Sequence, residues 1–263
     1  MLNVFCSCTL CLPYSMKFKD HFSRHASIYQ RFRPHYPVEL FQYLAGLCEN
    51  PQLVWDCGTG NGQAAWGLSE HFQQVIATDP SQSQIEQSRA HPRIRYRLAT
   101  AEESGLEDHS TDLLCIAQAL HWFDFQRFYP EAKRVLKKGG LIAAWSYGLP
   151  SLSEELDHLI LYFHDEMLRG FWKQENEFVT RSYTTIPFPF PEIPSPNFQM
   201  EKEGNFEDLL GLLESWSAVQ RYKEAMGRNP LLKIRTELLH AWGASEKKRI
   251  FRWQIPLLIG INL

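Results

Sequence analysis

A glycine-rich segment between Asp56 and Gly62 has the residue types needed to hold a polar ligand. Glycine occupies every second position after an apolar run, at Gly58, Gly60 and Gly62. Glycine lets the backbone turn with positive φ and approach a ligand without Cβ contacts. The Asp56 carboxylate can accept hydrogen bonds from a ligand ammonium group. The segment therefore predicts a ligand-binding loop, with a purely structural turn as the alternative.

The same segment argues against a nicotinamide dinucleotide. A dinucleotide fingerprint has the form G-x-G-x-x-G and places the pyrophosphate at a helix N-terminus. Here the third glycine, Gly62, comes one position too early for that pattern. An NAD(P)-dependent oxidoreductase is therefore the less favoured alternative.

Asp79 is a second carboxylate, and its position suits ribose recognition. It lies about 20 residues after Gly58, at the end of the next apolar run, where a carboxylate can accept both ribose hydroxyls. Because NAD would use the same carboxylate, Asp79 does not distinguish between nucleotide ligands. Its alternative role is to cap the helix that opens after Pro80, and both roles can coexist.

The run from Ala117 to Asp124 offers a candidate proton acceptor. It reads Ala-Gln-Ala-Leu-His-Trp-Phe-Asp and follows a predicted strand. A histidine titrates near a pH of about 6.5, so His121 can act as a general base. Alternatively, His121 orients the loop or packs against Trp122, since an ionised carboxylate substrate needs no base.

Alternating strand and helix signals predict the elements that carry these residues. Four apolar runs, at 53–56, 75–79, 113–117 and 141–145, and an alternating segment at 94–98 are predicted as parallel strands. Helical periodicity is predicted over 63–71 and over 125–136, where Asp124 is the cap and Gly139 and Gly140 supply the stop. The candidate residues thus follow strand ends, where ligands bind on open parallel sheets.

The second half of the chain has a different pattern. Apolar faces predict two further helices, over 156–167 and 206–213. Prolines within 187–196 forbid regular structure, in a connection that either covers a pocket or spans a surface. Alternation over 251–261 predicts a final strand, in which Pro256 indicates an edge position or a bulge. The order of elements predicts an open, mostly parallel, doubly wound sheet with a late hairpin.

Together these motifs resemble class I S-adenosylmethionine-dependent methyltransferases, whose nucleotide loop reads D-x-G-x-G-x-G. The run 117–124, with Arg-Val-Leu-Lys-Lys-Gly-Gly at 134–140 behind it, resembles the methyltransferase type 11 superfamily, and particularly its trans-aconitate methyltransferase branch. Tyr29 and the Arg-Pro-His-Tyr-Pro sequence at 33–37 are similar to the same branch. The resemblance covers roughly residues 17–148 and is weaker beyond.

The resemblance implies a Rossmann-like, doubly wound α/β fold, with a mostly parallel seven-stranded sheet and a C-terminal antiparallel hairpin. It also implies S-adenosyl-L-methionine as the methyl donor. The candidate donor-binding residues are Asp56, Gly58, Gly60, Gly62, Asp79, Ala101, Glu102 and Gln118. Many relatives have an acidic residue where this chain has Thr100, so adenine contacts are expected from the Ala101 backbone, with a structural role as the alternative for Glu102.

Candidates on the acceptor side are Tyr29, Arg33, Trp122 and Trp216. Arg33 can fix an anionic acceptor or the donor carboxylate by a bidentate pair, or lie on a solvated surface. Trp216 can line the acceptor pocket, although helices commonly bury such residues simply to pack. The resemblance does not identify the acceptor, because this fold builds the acceptor pocket from variable segments.

Composition favours a small-molecule acceptor. The net charge of -3 gives no basic field for a phosphate backbone, and no RNA-binding module is visible. We therefore expect an S-adenosylmethionine-dependent methyltransferase that O-methylates a carboxylic acid or a hydroxylated metabolite, without nucleic acid as partner. The alternatives are a donor-binding protein without turnover and a protein or RNA methyltransferase.

The expected domain spans residues 17–263, with a cofactor-binding half at about 50–148 and acceptor-side helices and final strands at about 149–263. We predict that residues 1–16 are a disordered leader. A signal peptide is not expected, because this segment lacks a positively charged N-terminal region. The leader cysteines Cys6, Cys8 and Cys11 supply half of a usual zinc site, so no metal is expected. No apolar run reaches bilayer length, which favours a cytoplasmic protein without a membrane partner. Oligomeric state is not predicted.

Overall fold

The computed structural model describes Phe32 and residues 34–263. Tyr29, Arg33 and the segment 1–16 lie outside the described residues. Their predicted roles therefore stay predictions.

Five parallel strands form most of the main sheet of the described chain. They are β1 (Leu53–Cys57), β2 (Gln74–Asp79), β3 (Ile94–Leu98), β4 (Thr111–Ala117) and β5 (Leu136–Trp145). The last strand, β8 (Leu257–Ile261), is antiparallel to β5, which gives the order β3-β2-β1-β4-β5-β8. The predicted fold class, a mostly parallel doubly wound sheet, is confirmed.

Helices cover both faces of this sheet, and alternate side chains of β1, such as Val54 and Trp55, enter two separate apolar clusters. The helices of the described chain are α1 (Val38–Gly46), α2 (Gln63–Ser69), α3 (Gln82–Glu86), α4 (Phe125–Val135), α5 (Glu154–Tyr162), α6 (Asn176–Thr180), α7 (Phe206–Glu214), α8 (Ser217–Met226) and α9 (Arg235–Trp242). Burial on both faces explains why the central strands are continuous apolar runs in the sequence.

The boundary between α4 and β5 differs from the prediction. Asp124 caps α4 as expected, because its side chain accepts a hydrogen bond from the Gln126 amide. The helix ends at Val135, before the glycine pair, and Gly139 and Gly140 lie inside β5. Gly139 has a φ of 76° and donates its amide to Asn262. The glycines therefore shape an irregular strand and do not stop the helix.

The main sheet has six strands within the described chain, and not the seven that the resemblance implied. β6 (Phe198–Gly204) and β7 (Arg249–Ile255) pair antiparallel in a separate two-stranded sheet. Pro256 separates β7 from β8, because proline has no amide to donate to a ladder. The single strand predicted over 251–261 is thus two strands in two sheets.

The proline-rich connection 187–196 lies along the outer edge of β8. The Ile193 amide donates to Ile259 and the Ile261 amide donates to Pro191, at 2.9 and 3.1 Å. Tyr129 donates its hydroxyl to the Pro187 carbonyl. Of the two predicted alternatives, the connection follows the sheet surface, where it covers an edge that would otherwise expose unpaired backbone groups.

Within the described part of the chain, no helix is long and apolar enough to cross a bilayer. The same residues contain no group of three His, Cys, Asp or Glu side chains placed to hold a metal ion. The cysteines among the described residues, Cys48, Cys57 and Cys115, are free thiols. Burial raises the pKa of Cys48 to about 12, so this thiol is not a reactive nucleophile at neutral pH.

Candidate functional site

The glycine loop joins β1 to α2 with all three glycines in left-handed conformations. The φ angles of Gly58, Gly60 and Gly62 are 72°, 56° and 89°. A Cβ at Gly58 would lie 2.6 Å from the Ala119 Cβ, and one at Gly62 would overlap the Tyr96 hydroxyl. At Gly60 the nearest atom to such a Cβ is 3.9 Å away. Gly60 therefore faces open space, while the other two glycines allow close packing.

Asp56 is fully buried at the end of β1. Its Oδ2 accepts a hydrogen bond from the Thr59 hydroxyl at 2.5 Å, whereas Oδ1 has no partner of good hydrogen-bond geometry. Burial raises the pKa of Asp56 to about 7, and the Thr59 hydroxyl acts in the opposite direction. Because buried acceptors in native proteins are nearly always paired, Oδ1 fits a site for a donor group supplied by a ligand.

Asp79 links β2 to the glycine loop. Its Oδ2 accepts the Gly60 amide and its Oδ1 accepts the Ser81 amide, both at 2.9 Å. The contact to Ser81 orders the turn before α3, close to the capping role that the sequence suggested. The contact to Gly60 orders the open part of the loop. Asp79 thus stands beside the space in front of Gly60.

Glu102 connects the segment after β3 to the start of α4. Its Oε1 accepts the Asp124 amide at 2.9 Å. Thr100 and Glu103 form an isolated bridge on either side of the buried Ala101. The geometry matches the structural role that the sequence left open for Glu102, and it fixes the Ala101 backbone.

Gln118 follows β4 in a left-handed conformation, with a φ of 55°. Its backbone amide donates to Trp145 and its side-chain amide donates to the Tyr147 carbonyl, both at 2.9 Å. A non-glycine residue is rarely found at this φ. Through its two hydrogen bonds, Gln118 links the carboxyl ends of β4 and β5.

His121 lies in a buried 3-10 turn, Leu120–Trp122, beyond Gln118. Its Nδ1 is 2.9 Å from the Tyr183 hydroxyl oxygen, and its ring centroid is 4.7 Å from that of Trp122. The Lys173 ammonium lies over the Trp122 ring, 5.1 Å from its centroid. Sequence reasoning missed Tyr183 and Lys173, since neither belongs to a motif and both come from a segment far along the chain.

Comparison with known proteins identifies the family. Residues 55–144 match the model of the methyltransferase domain. A candidate methyltransferase from Dictyostelium discoideum is 32% identical, over 89% of this chain and 91% of the relative. This chain belongs to the methyltransferase domain family.

Two further relatives agree with this methyltransferase assignment. A solved structure of a candidate type II methyltransferase from Anaeromyxobacter dehalogenans is 39% identical, with a TM-score of 0.83 over 88% of this chain and 99% of that one. A Saccharomyces cerevisiae protein named for dependence on S-adenosylmethionine is 26% identical over 51% of this chain and 50% of the relative. S-adenosyl-L-methionine is the cofactor of the methyltransferase family to which this chain belongs, in agreement with the name of this relative.

The residues at the ends of β1 and β2 fit this cofactor. An ammonium group needs an acceptor, and Asp56 Oδ1 is a buried acceptor without a good partner. Ribose hydroxyls need a carboxylate, and Asp79 lies beside the open space at Gly60. The acceptor oxygens at these two strand ends thus match the ammonium and hydroxyl groups that the cofactor carries.

Trp216 lies in an aromatic cluster of the methyltransferase. Its ring stacks on Phe163 at 6.0 Å and approaches Trp172 at 5.8 Å and His164 at 5.7 Å between centroids. These contacts match the packing alternative for Trp216. Among the described residues, no ring contact joins it to His121 or Trp122.

Tyr36 is a further residue at the strand ends. Its ring centroid is 5.5 Å from that of Trp145 and 6.4 Å from that of Tyr147. The Gln63 side chain, at the start of α2, donates to the Pro34 carbonyl at 2.8 Å. The segment that precedes α1 thus reaches both the glycine loop and the end of β5, a position that its sequence motif alone did not give.

Proposed function

We propose that this methyltransferase transfers the methyl group of S-adenosylmethionine to an oxygen of a small carboxylic acid or hydroxylated metabolite. The observation that carries the proposal is the contact between Gly58 and Ala119. This contact brings the glycine loop, where we propose that the methyl donor binds, directly against the segment that leads to His121. An acceptor oxygen that binds near His121 would therefore lie close to the methyl donor at the glycine loop.

On the donor side, we assign contacts to the ends of β1 to β4. The Asp56 carboxylate accepts from the ammonium group, Asp79 accepts from the ribose hydroxyls, and Gly60 provides the space. The remaining assigned donor contacts are Gly58, Gly62, Ala101 and Gln118, and we assign Glu102 the structural role of accepting the Asp124 amide. Bound S-adenosylmethionine supplies a methyl group on a positively charged sulfur, which leaves as a neutral thioether.

On the acceptor side, this chain mainly positions and desolvates the nucleophile. A nucleophile held in line with the methyl carbon gains rate from orientation, with effective molarities on the order of 10⁵ M in favourable cases. A hydroxyl acceptor would need His121 as base, whereas a carboxylate needs none. We also assign Trp122, Tyr29 and Arg33 to the acceptor side, and we assign Trp216 to the packing of its aromatic cluster.

A small acid fits the resemblance to the trans-aconitate methyltransferase branch. The net charge of -3 disfavours RNA as the substrate. We further propose a cytoplasmic protein, with residues 17–263 as one catalytic domain whose cofactor-binding half is about 50–148.

The proposal is tested with donor labelled in its methyl group. The full chain is incubated with a cell extract that has been divided into metabolite and macromolecular fractions. We expect label in the metabolite fraction, extractable as a methyl ester or ether, and none when Asp79→Ala protein is used. Label only in protein or RNA would replace the small-molecule proposal, and donor binding without any transfer would favour a binding protein.

A further inference from the structure

Tyr96, in the middle of β3, packs against the end of the glycine loop. A Cβ at Gly62 would lie 2.3 Å from the Tyr96 hydroxyl oxygen and 2.9 Å from two carbons of its ring. Gly62 has a φ of 89° and directly precedes α2. The third glycine of the loop therefore makes room for a tyrosine that comes from β3.

Tyr96, Ala77 and Asp56 form one row across three strands. Asp56 is in register with Ala77, and Ala77 is in register with Tyr96. Side chains in one row of a sheet lie on the same face, and Ala77 and Tyr96 belong to the same apolar cluster. Because Ala77 carries only a methyl group, the Tyr96 ring can reach across it towards Asp56.

Each end of this row has a buried polar atom without a partner of good hydrogen-bond geometry, namely the Tyr96 hydroxyl oxygen and Asp56 Oδ1. Burial raises the pKa of Tyr96 to about 12, and the Asp56 charge acts in the same direction. The hydroxyl is therefore protonated at neutral pH and lies in the electrostatic field of the carboxylate. The Trp66 indole acts to lower this pKa, but an indole N–H can only donate, so the hydroxyl proton is left for another acceptor.

The other groups around Asp56 act on its ionisation in both directions. Burial raises the pKa of Asp56 to about 7, the Thr59 hydroxyl and the Ala65 amide act to lower it, and the Asp79 carboxylate acts to raise it. The Cys115 thiol stays neutral, because burial raises its pKa. Hydrogen-bond donors are therefore what offsets burial at this carboxylate.

We propose that Tyr96 is a positioning residue for Asp56, whose hydroxyl dipole stabilises the ionised carboxylate. Hydroxyl dipoles orient in the field of nearby charges, so the Tyr96 proton turns towards Asp56 when the carboxylate ionises. Asp56 can then accept from the ligand ammonium group at neutral pH. Tyr96 acts through Asp56 and contacts neither the methyl donor nor the acceptor. The consequence for ligand binding rests on the proposed ammonium contact of Asp56.

The pKa of Asp56 can be measured without any ligand. Carbon NMR of the full chain with labelled aspartate carboxyl groups follows the ionisation, and Asp56→Asn assigns the signal. Tyr96→Phe removes the hydroxyl and keeps the ring against Gly62. It should raise the pKa of Asp56 by about one unit, because stabilisation of the charged form is lost. An unchanged or lower pKa would overturn the proposal.

Tyr129→Phe is the matched control, because it also removes a tyrosine hydroxyl, which bonds the Pro187 carbonyl and lies in the other apolar cluster. It should leave the pKa of Asp56 unchanged. If this pKa rises as much as in Tyr96→Phe, the effect is general loosening, and the positioning role of Tyr96 is rejected.

Ligand affinity separates an electrostatic role of Tyr96 from a merely structural one. In Tyr96→Phe, affinity for S-adenosylhomocysteine should fall about tenfold at pH 6 and by less than about twofold at pH 9, where Asp56 is ionised in both proteins. An equal loss at every pH would show only a loosened loop and would count against the proposal.

A further variant covers the case in which Tyr96→Phe does not fold. With 3-fluorotyrosine in place of Tyr96, the phenol is more acidic and its hydroxyl is a stronger donor. The pKa of Asp56 should then fall, and a rise would contradict the role of the hydroxyl. If the pKa shifts are as expected but no small molecule is methylated, only the proposed function fails.

Discussion

Gly58 lies against Ala119 so closely that a Cβ at Gly58 would stand 2.6 Å from the Ala119 Cβ. We predict that Gly58→Ala lowers the free energy of unfolding by about 2–4 kcal/mol, because overpacking adds to the cost of a positive φ. Chemical denaturation measures the loss, and calorimetry with S-adenosylhomocysteine should show weaker binding.

Gly46→Ala is the matched control, since nothing lies within 4 Å of a Cβ at Gly46, a residue in α1. Its stability should be unchanged or slightly higher, because alanine favours helix over glycine. Combining Gly58→Ala with Ala119→Gly should recover part of the loss, namely the steric part. Full additivity of the two substitutions would mean that the contact does not limit Gly58.

Asp79 accepts two backbone amides, from Gly60 and Ser81, in addition to its proposed ribose contacts. We predict that Asp79→Ala weakens binding of S-adenosylhomocysteine by at least about a hundredfold, because it removes charged hydrogen bonds of about 1.5–3 kcal/mol each. Calorimetry measures this affinity. Asp79→Asn keeps one acceptor oxygen and should lose less.

Asp157→Ala serves as the control for Asp79. The Asp157 carboxylate likewise accepts the Leu152 amide and the Ser151 hydroxyl, both at 2.7 Å. This variant should lose stability and keep its affinity for the ligand. Equal affinity in Asp79→Ala and the unmodified protein would remove the ribose assignment.

Local patterns predicted the strands that carry the site, because a parallel strand covered on both faces must be apolar throughout. The strand predicted at 94–98 from its alternation, which lies at the edge of the sheet, also agrees with the structure at both ends. The cap of α4 at Asp124 was also predictable, since its side chain bonds an amide two residues away. These features depend on interactions within a few residues.

Long-range pairing was not predictable from the same patterns. The alternation over 251–261 gives the strand period but not the partner, and β7 pairs with β6 while β8 pairs with β5. Tyr183 likewise meets His121 across 62 residues of chain. Such contacts are set by the packing of whole elements, so neither residue type nor spacing reveals them.

Two substitutions of Glu102 distinguish a structural role of this residue from a contact to the methyl donor. Its Oε1 accepts the Asp124 amide, so Glu102→Ala should lower the free energy of unfolding by about 1–3 kcal/mol, the cost of an amide left without its partner. Glu102→Gln keeps an acceptor oxygen and should be close to the unmodified protein. Thermal unfolding measures both variants. A large loss of ligand affinity in stable Glu102→Gln protein would instead show that the carboxylate charge contacts the donor.

The raised pKa of Asp56 predicts that the free energy of unfolding depends on pH. Burial raises its pKa from 3.8 to about 7, so between these values the folded protein keeps a proton that the unfolded chain releases. Its contribution to the free energy of unfolding is therefore full below about pH 4, falls as the pH rises, and is lost above about pH 7. Denaturation of the protein without ligand at several pH values measures this slope, which Asp56→Asn should abolish.

The same carboxylate must be ionised to accept from the ligand ammonium group. Affinity for S-adenosylhomocysteine should therefore rise between about pH 6 and 7.5, with release of a proton, which calorimetry in two buffers of different ionisation enthalpy detects. Asp112→Asn is the control, because the Asp112 carboxylate accepts the amides of Gln52 and Leu53 at the start of β1, at the opposite end of that strand from the glycine loop. It should keep the proton release, whereas Asp56→Asn should lose it. Proton release that persists in Asp56→Asn would assign the ammonium contact to another residue.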